Sequence, residues 1–316
     1  MIKLGTSFSG METPYWALKQ LSIHSKFKIK HCFGIECLAP CRRFIAQNIP
    51  GHGALHEDAE TVSVKKLGTV DIYVAGFPCQ SFSMAGKMLG AKDPRGKLFF
   101  HCEEHIRLHS PRAYILENVA ALVRCKKFEA TYKHITRALK ELPYHVCVSV
   151  LNTADHGVPQ NRERVFFCGI RNDCLCGDFK FPEPVECVPL KAFLSTHKAD
   201  FKRTDLPFTK THLRNLTKCV QEALDSDEIN LQKDTLVIDL NTGKNMGSRW
   251  CINKLPCITK SRGQTRGYYL LNHKLGRMTT IDELLRLQGF TDRFNLDGIS
   301  ENQMGSMVVQ SRKLAL

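Results

Sequence analysis

Short apolar runs alternate with amphipathic stretches along the first half of this chain. The strand-like runs lie at residues 2–8, 28–35, 70–75, 114–116, 146–151 and 165–170. The helix-like stretches lie at residues 14–21, 38–48, 98–108 and 128–139. Strands that alternate with helical patterns are typical of a doubly wound α/β sheet, in which most strands run parallel. The pattern therefore predicts an α/β fold whose strand ends carry the ligand-binding loops.

The strand-like run at 70–75 leads into a loop that reads Gly76-Phe77-Pro78-Cys79-Gln80-Ser81. Loops at the carboxyl ends of buried parallel strands are where α/β proteins place ligands and reactive groups, so Cys79 is a candidate nucleophile. The structural alternative is that Cys79, one of 14 cysteines, is a small buried apolar residue like most others. The loop alone does not decide between these two interpretations.

Two acidic residues stand where a nucleotide-like ligand would need them. Glu36 follows the second strand-like run, where an acidic side chain commonly accepts hydrogen bonds from a ribose. Asp58, one unit later, is placed to accept a hydrogen bond from the amine of an adenine. For either carboxylate taken alone, an exposed loop position is the better explanation. Phe8-Ser9-Gly10 has one glycine where a dinucleotide-binding fingerprint has three, which disfavours a nicotinamide cofactor.

The composition adds an expectation about partners. The chain of 316 residues carries 45 Lys and Arg against 31 Asp and Glu, a formal charge of +14. This excess favours a polyanionic partner, most simply nucleic acid, although a generally basic surface gives the same count. The cysteines are scattered, and neither a signal peptide nor an apolar stretch of transmembrane length is evident. We therefore expect an intracellular protein.

The pattern changes after the last strand-like run. Residues 191–277 contain 16 Lys or Arg against 8 Asp or Glu, and the excess peaks at residues 254–266. Polar, basic loops suit phosphate contacts and base-edge readout, or are simply a solvated surface. Cys174 and Cys176 form a Cys-x-Cys pair without a second paired motif, so no metal site is expected.

Four motifs follow one another along the chain. They are Pro-Cys-Gln at 78–80, Glu-Asn-Val at 117–119, Gln-x-Arg-x-Arg at 160–164, and Leu-Leu-Arg-Leu-Gln-Gly-Phe at 284–290. The last motif closes a predicted helix over 277–290, with Thr280 as N-cap and Glu283 three residues later. In these motifs and in their order, the chain closely resembles the cytosine-C5 DNA methyltransferases, over about residues 2–171 and 250–310.

The resemblance implies a Rossmann-like fold of the S-adenosylmethionine-dependent kind, with a mostly parallel twisted sheet. It assigns residues 1–172 and 278–316 to the catalytic domain and residues 173–277 to a smaller, variable target-recognition domain. The implied activity is DNA (cytosine-5)-methylation, as in restriction–modification, on a cytosine flipped out of double-stranded DNA. We expect a monomer that binds no membrane. Its compartment would be that of DNA, the nucleus in a eukaryote or the cytoplasm in a bacterium.

Four catalytic roles follow from the resemblance. Cys79 would add to carbon 6 of cytosine, which turns the ring into an enamine-like nucleophile at carbon 5. Glu117 would bind the N3 and amino edge of the base and stabilise or supply the N3 proton. Arg162 would contact the base oxygen and offset developing charge. Arg164 would support the nucleophile loop or contact a DNA phosphate.

The resemblance also implies S-adenosylmethionine as the methyl donor. The expected contacts are Phe8 and Gly10 along its pocket, Glu36 at its ribose, Asp58 at its adenine, and Pro78, Leu98 and Ser306 around it. Two motifs depart from the family pattern. Glu12 stands where many members have a second glycine, and Met304-Gly305-Ser306 stands where the family usually has Gly-Asn and a small residue.

Two other functions remain open. An RNA cytosine-5 methyltransferase shares this catalytic core, although tRNA-modifying relatives usually carry a Cys-Phe-Thr tripeptide that this sequence lacks. A catalytically silent DNA-binding relative would keep the fold, but Cys79, Glu117 and Arg162 are intact. Residues 81–97 form either a loop that closes over the site and helps to hold the opened DNA, or an ordinary solvated loop.

Overall fold

A computed structural model provides the fold. It describes residues 1–78, 97–195, 208–242, 249–259, 262, 267–291 and 293–310. The chain divides into two compact units, one of residues 1–151 and 163–183 and the other of residues 152–162 and 184–315. Our assignment of a catalytic domain (1–172 and 278–316) and a target-recognition domain (173–277) remains a prediction.

The strands and helices of the described residues are named here in chain order. The strands are β1 (Ile2–Ser7), β2 (Ile29–Ile35), β3 (Ala54–His56), β4 (Ile72–Ala75), β5 (Ala113–Val119), β6 (Tyr144–Asn152), β7 (Gln160–Asn161), β8 (Glu163–Arg171), β9 (Leu236–Ile238), β10 (Trp250–Ile252), β11 (Leu255–Pro256), β12 (Tyr269–Leu271) and β13 (Gly276–Met278). The α-helices are α1 (Thr13–Ser25), α2 (Ala39–Asn48), α3 (Lys97–His109), α4 (Ala121–Arg124), α5 (Glu129–Lys140), α6 (Lys210–Asp225), α7 (Ile281–Arg286) and α8 (Glu301–Gln310).

The first unit is built on a seven-stranded sheet in the order β3-β2-β1-β4-β5-β8-β6. Strands β1 to β5 pair in parallel with their neighbours, and β8 pairs antiparallel with β5. Buried side chains of the sheet, among them Phe33, Tyr73 and Phe167, share one core with side chains of the helices, among them Phe99 and Ile135. This arrangement confirms the predicted α/β fold with a mostly parallel sheet.

The apolar runs locate the main elements of this unit because strands buried on both faces are nearly continuous in their hydrophobicity. Each predicted strand and helix between residues 2 and 170 is present. The pattern misses β3, which has three residues and is partly exposed, so that it leaves no apolar run.

The second unit contains a four-stranded sheet in the order β10-β9-β12-β13 and the two-residue pair of β11 with β7. The helix predicted over 277–290 begins too early, because Arg277 belongs to β13 and pairs with Leu270. The helix itself is α7, and Thr280 is its N-cap as predicted. The Thr280 Oγ1 accepts from the Glu283 N–H at 3.2 Å, and the Thr280 N–H donates to Glu283 Oε2 at 2.8 Å. No helix in the described part of the chain is long and apolar enough to cross a membrane.

A buried histidine makes the first unit sensitive to acid. The His105 side chain on α3 is fully buried, stacks on Tyr73 at 4.2 Å between ring centroids, and meets the Phe33 ring edge at 5.3 Å. Neither ring nitrogen has a hydrogen-bond partner in the described structure. Burial, reinforced by His109 and His101, lowers the pKa of His105 to about 3. The folded protein therefore holds this ring neutral well below the pH at which an unfolded histidine takes a proton.

We expect the free energy of unfolding to fall as the pH drops below about 6.5, because His105 then binds a proton in the unfolded chain but stays neutral in the folded chain. Between pH 7.5 and pH 5 the His105 contribution is about 2 kcal/mol by this linkage. Urea unfolding at both pH values should show that His105→Phe loses less stability on acidification than the parent. His24→Phe, at an exposed position of α1, is the matched control and should lose as much stability between the two pH values as the parent. Equal losses of stability in the two variants would contradict this account.

Candidate functional site

The parallel register gathers the predicted residues of the first unit at one edge of the sheet. Ser7 pairs with Ile35 on one side and with Ala75 on the other, Ile35 pairs with His56, and Ala75 pairs with Leu116. These five residues form one row across the sheet at the carboxyl ends of the parallel strands. The predicted residues that follow this row along the chain are Phe8, Gly10, Glu36, Asp58, Pro78 and Glu117.

The loop after β1 is held in an unusual backbone conformation. Phe8, Gly10 and Glu12 all have positive φ angles, of 59°, 60° and 62°. A residue with a Cβ resists this left-handed region by about 1–2 kcal/mol, so Phe8 and Glu12 need compensating contacts. The Phe8 N–H donates to the Ile35 carbonyl at 2.7 Å, which ties the loop to the end of β2.

Glu36 connects the same two strand ends through its side chain. It is only 6% exposed, and its Oε2 accepts from the Gly10 N–H at 2.9 Å. Its Oε1 accepts from the Leu38 N–H at 3.0 Å and from the Cys37 thiol at 3.6 Å. A carboxylate offers about four acceptor positions, so Glu36 keeps acceptor capacity for a further donor such as a hydroxyl.

Glu12, the departure from the family pattern, is accommodated inside the unit. Its side chain is fully buried, and its Oε1 lies 3.4 Å from His31 Nε2 on β2. The other nitrogen of that ring, Nδ1, accepts from the Gly53 N–H at 3.3 Å, which places a proton on Nε2 facing the carboxylate. A Cβ on Gly34 would lie 3.3 Å from Glu12 Oε2, so a glycine there leaves room for the carboxylate. The Glu12 side chain therefore packs against β2.

A pocket lies between the chain at 59–65, which follows Asp58, and helix α3, which carries Leu98. Asp58 itself is exposed, and its Oδ1 accepts from the Glu60 N–H at 2.9 Å in a local turn. Leu98 lines the pocket together with Ala59, Glu60, Val62, Ser63, Val64, Lys65, Phe100, His101 and Glu104. Burial lowers the pKa of His101, and the negative charge of Asp58 partly opposes this shift.

Strands β4 and β5 are tied together beside the predicted nucleophile. Phe77 is buried, and its carbonyl accepts from Asn118 Nδ2 at 3.1 Å, which fixes the chain just before Pro78. The sequence motif contains Asn118 but gave no reason to assign it a role; its position beside Glu117 was the available signal. Cys79 and the predicted closing loop up to residue 96 lie outside the described residues.

Glu117 and Arg164 form a mostly buried ion pair. Arg164 Nε lies 2.9 Å from Glu117 Oε1, and the two side chains are 16% and 6% exposed. The antiparallel register brings them together, because Arg164 pairs with Val119, two residues beyond Glu117 on the same face of β5. The predicted contact of Arg164 with the nucleophile loop or a phosphate remains a prediction. In the described structure its guanidinium contacts Glu117 and also donates to the Glu163 carbonyl at 2.6 Å.

The second unit holds the other two predicted residues. Arg162 is only 4% exposed, and its Nη1 lies 3.7 Å from the Cys257 thiol. Ser306 lies on α8, where its hydroxyl donates to the Asn302 carbonyl at 3.1 Å.

Much of the basic segment 254–266 lies outside the described residues, but Arg262 pairs with Asp239 at 2.8 Å rather than facing solvent. In the described part of the chain, no group of three or more His, Cys, Asp or Glu side chains is arranged to hold a metal ion.

The chain is similar to known proteins over most of its length. The family model of the C-5 cytosine-specific DNA methylases matches residues 8–311. The chain belongs to this family. Type II methyltransferase M.NgoBI of Neisseria gonorrhoeae is 34% identical over 228 residues, which are 72% of this chain and 65% of that protein. Type II methyltransferase M.HpaII of Haemophilus parainfluenzae is 33% identical over 255 residues, 75% of this chain and 68% of that protein.

Solved structures support the fold of this chain. The Dnmt2 methyltransferase of S. pombe superposes with a TM-score of 0.68 at 13% identity, and covers 99% of this chain and 95% of its own. The methyltransferase EhMeth of Entamoeba histolytica gives the same TM-score at 16% identity, with 99% and 94% covered. In M.NgoBI the match spans just under two thirds of that protein's length.

The Glu117–Arg164 ion pair supports a prediction about stability. Removing Arg164 leaves the Glu117 carboxylate buried without its counter-charge, so Arg164→Ala should lower the free energy of unfolding by about 3 kcal/mol. Arg124→Ala is the matched control because Arg124 pairs with Glu163 on the surface, where its loss should cost under about 1 kcal/mol. Urea unfolding measures both values, and adding Glu117→Gln to Arg164→Ala should restore part of the loss. Similar small losses in the two arginine variants would contradict a buried pair.

Proposed function

We propose that the chain is a DNA (cytosine-5)-methyltransferase that transfers a methyl group from S-adenosylmethionine to carbon 5 of a cytosine flipped out of duplex DNA. The observation that carries this proposal is the end of the β4–β5 pair. There a buried carboxylate, Glu117, is held by Arg164, while Asn118 fixes the main chain directly before Pro78 and Cys79. A positioned carboxyl group and a cysteine loop are the two parts that addition to a cytosine ring requires.

Cys79 would act as the nucleophile. Its thiolate would form a bond to carbon 6 of the base, and the electron pair of the C5–C6 double bond would move so that carbon 5 becomes nucleophilic. After carbon 5 has gained a methyl group, a base removes the C5 proton. The electrons of that C–H bond restore the double bond and expel the Cys79 sulfur as thiolate. The general base is not assigned to a side chain, and water fits this role.

Glu117 and Arg162 would hold the target base. The Glu117 carboxyl group suits the N3 and amino edge, because there it stabilises the N3 proton as electrons move into the ring during addition. The Arg162 guanidinium suits the base oxygen, where its fixed charge offsets the charge that develops. Arg164, through its contact with Glu117, would keep that carboxyl group in one orientation.

Residues at the sheet edge would hold S-adenosylmethionine, which supplies an electrophilic methyl group when bound. The donor set fits: Glu36 is a buried acceptor suited to ribose hydroxyls, and Asp58 is an exposed acceptor suited to an adenine amine. Leu98, in the pocket next to Ala59, provides an apolar wall. Phe8 and Gly10 shape the loop after β1, and Pro78 and Ser306 complete the proposed contacts.

The substrate in this proposal is double-stranded DNA. A net charge of +14 favours a polyanion, and the printed names of the relatives above are those of type II methyltransferases. We therefore place the chain in restriction–modification, as a monomer in the compartment that holds DNA, with residues 173–277 reading the target sequence. Flipping the base costs a few kcal/mol of unstacking, which contacts to the opened strand must repay.

Methyl transfer from labelled S-adenosylmethionine to unmethylated, mixed-sequence duplex DNA tests the function directly. We expect label on DNA, and we expect Cys79→Ser to abolish it because serine cannot supply a thiolate. Cys125→Ser, which changes an exposed cysteine of the first unit, is the matched control and should label DNA normally.

Duplex DNA carrying 5-fluorocytosine should trap the parent as a covalent adduct, because fluorine at carbon 5 cannot leave as a proton. RNA is run in parallel. Label and adducts on RNA alone would replace the DNA enzyme by an RNA cytosine-5 methyltransferase. Binding of S-adenosylmethionine and DNA without label or adduct, whatever the target sequence offered, would instead indicate a catalytically silent relative.

A further inference from the structure

The segment 152–162 of the second unit folds back on itself around Arg162. It begins at Asn152, where β6 ends, passes through a short 3-10 turn at Thr153–Asp155, and returns as β7. The return brings the main chain of Gln160–Arg162 against Asn152 and Thr153. We call these two residues and their hydrogen bonds to Gln160–Arg162 the Asn152 bracket.

The Asn152 side chain holds two consecutive residues at once. Its Oδ1 accepts from the Arg162 N–H at 3.0 Å, and its Nδ2 donates to Asn161 Oδ1 at 2.8 Å. The same Oδ1 accepts from the Ala154 N–H at 3.3 Å, which orients the amide by capping its own turn. One side-chain amide therefore bonds both Asn161 and Arg162. Its oxygen accepts from main-chain N–H groups and its NH2 group donates, so the orientation of the amide is fixed.

Thr153 completes the bracket from the main chain. Its N–H donates to the Arg162 carbonyl at 3.1 Å, and its hydroxyl donates to the Gln160 carbonyl at 2.5 Å. The N–H and the carbonyl of Arg162 are thus both bonded within the bracket. The guanidinium then extends from a main chain that is fixed on both sides.

The direction of each side chain in β7 depends on this register. Gln160 and Arg162 are 0% and 4% exposed, whereas Asn161 between them is exposed. Because neighbouring side chains of an extended chain point to opposite faces, a slip of one residue would turn the Arg162 guanidinium outward. The sheet itself opposes such a slip only weakly. Strand β7 pairs over two residues with β11, and Pro256 opposite Asn161 has no N–H to donate.

We propose that Asn152 is a positioning residue for Arg162, and that it sets the register on which the proposed contact of Arg162 with the target base depends. The inference rests on the proposed function. Its chemical basis is that an electrostatic stabiliser acts only where it is held in the correct geometry before the reaction. A displacement of about 1 Å in such a group reduces a rate about 100-fold.

The test measures the rate of adduct formation with 5-fluorocytosine duplex DNA under single-turnover conditions. Asn152→Ala should slow it by about 100-fold, while the Kd values for S-adenosylmethionine and for duplex DNA change by less than about threefold. Asn152→Asp should recover most of the rate. The introduced carboxylate still accepts from Arg162 and Ala154, and the exposed Asn161 amide can turn its NH2 group toward it. Asn295→Ala is the matched control, since the exposed Asn295 side chain accepts from the Asp297 N–H in a turn of the same unit, outside residues 173–277.

A double-mutant cycle separates positioning from general destabilisation. If Asn152 acts through Arg162, the double variant Asn152→Ala, Arg162→Ala should react no more slowly than Arg162→Ala alone. Additive losses, or an Asn152→Asp variant as slow as Asn152→Ala, would overturn the inference. So would a parental rate in Asn152→Ala. If the parent binds cofactor but forms no adduct with duplex DNA, the proposed function fails and the inference fails with it. If the parent forms the adduct but the losses of the two variants are additive, only the inference fails.

Discussion

The parallel pairing of β1 with β2 on one side and with β4 on the other is the constraint on which the first unit depends. Parallel strands begin at one edge of the sheet and end at the other, so every loop that follows them starts from the same edge. The row through His56, Ile35, Ser7, Ala75 and Leu116 makes this explicit. Ser7 and Leu116, which are far apart along the chain, both lie in this row because each pairs with Ala75.

Three buried carboxylates lie in the described part of this unit, and two of them are paired with a hydrogen-bond donor or a positive charge. Glu36 accepts main-chain N–H groups, Glu12 faces His31, and Glu117 faces Arg164. An unpaired carboxylate at these exposures would cost several kcal/mol, so the donors are a condition of the fold rather than an addition to it. They also orient the carboxyl groups. Glu36 bonds the loops after β1 and β2 together, and Arg164 connects β8 to the end of β5.

The sequence predicts the fold well because its signal is local. Apolar runs and helical periodicity follow from burial of one face or both, which is why the longer elements between residues 2 and 170 are found, whereas the short elements β3, α4 and β7 are missed. The capping box at Thr280 is local too, whereas the start of that helix is not: the pairing of β13 with β12 takes Arg277 out of it. The motifs name Glu117 and Arg164, but only the antiparallel register of β5 and β8 shows that they form a pair. Nothing in the composition reveals that Glu12 adopts a positive φ and turns toward His31.

The two units fix their candidate residues in physically different ways. Glu117 lies in a strand whose register with β8 is set by seven consecutive residue pairs, so no single side chain is needed to hold its main chain in place. Arg162 follows a strand of two residues, and its main chain is held by the side chain of Asn152 and the main chain of Thr153. A register shared among many hydrogen bonds tolerates the loss of one, whereas a register held by few bonds depends more strongly on each of them. Point changes around Glu117 should therefore act mainly on stability, and those around Arg162 mainly on the rate of the reaction.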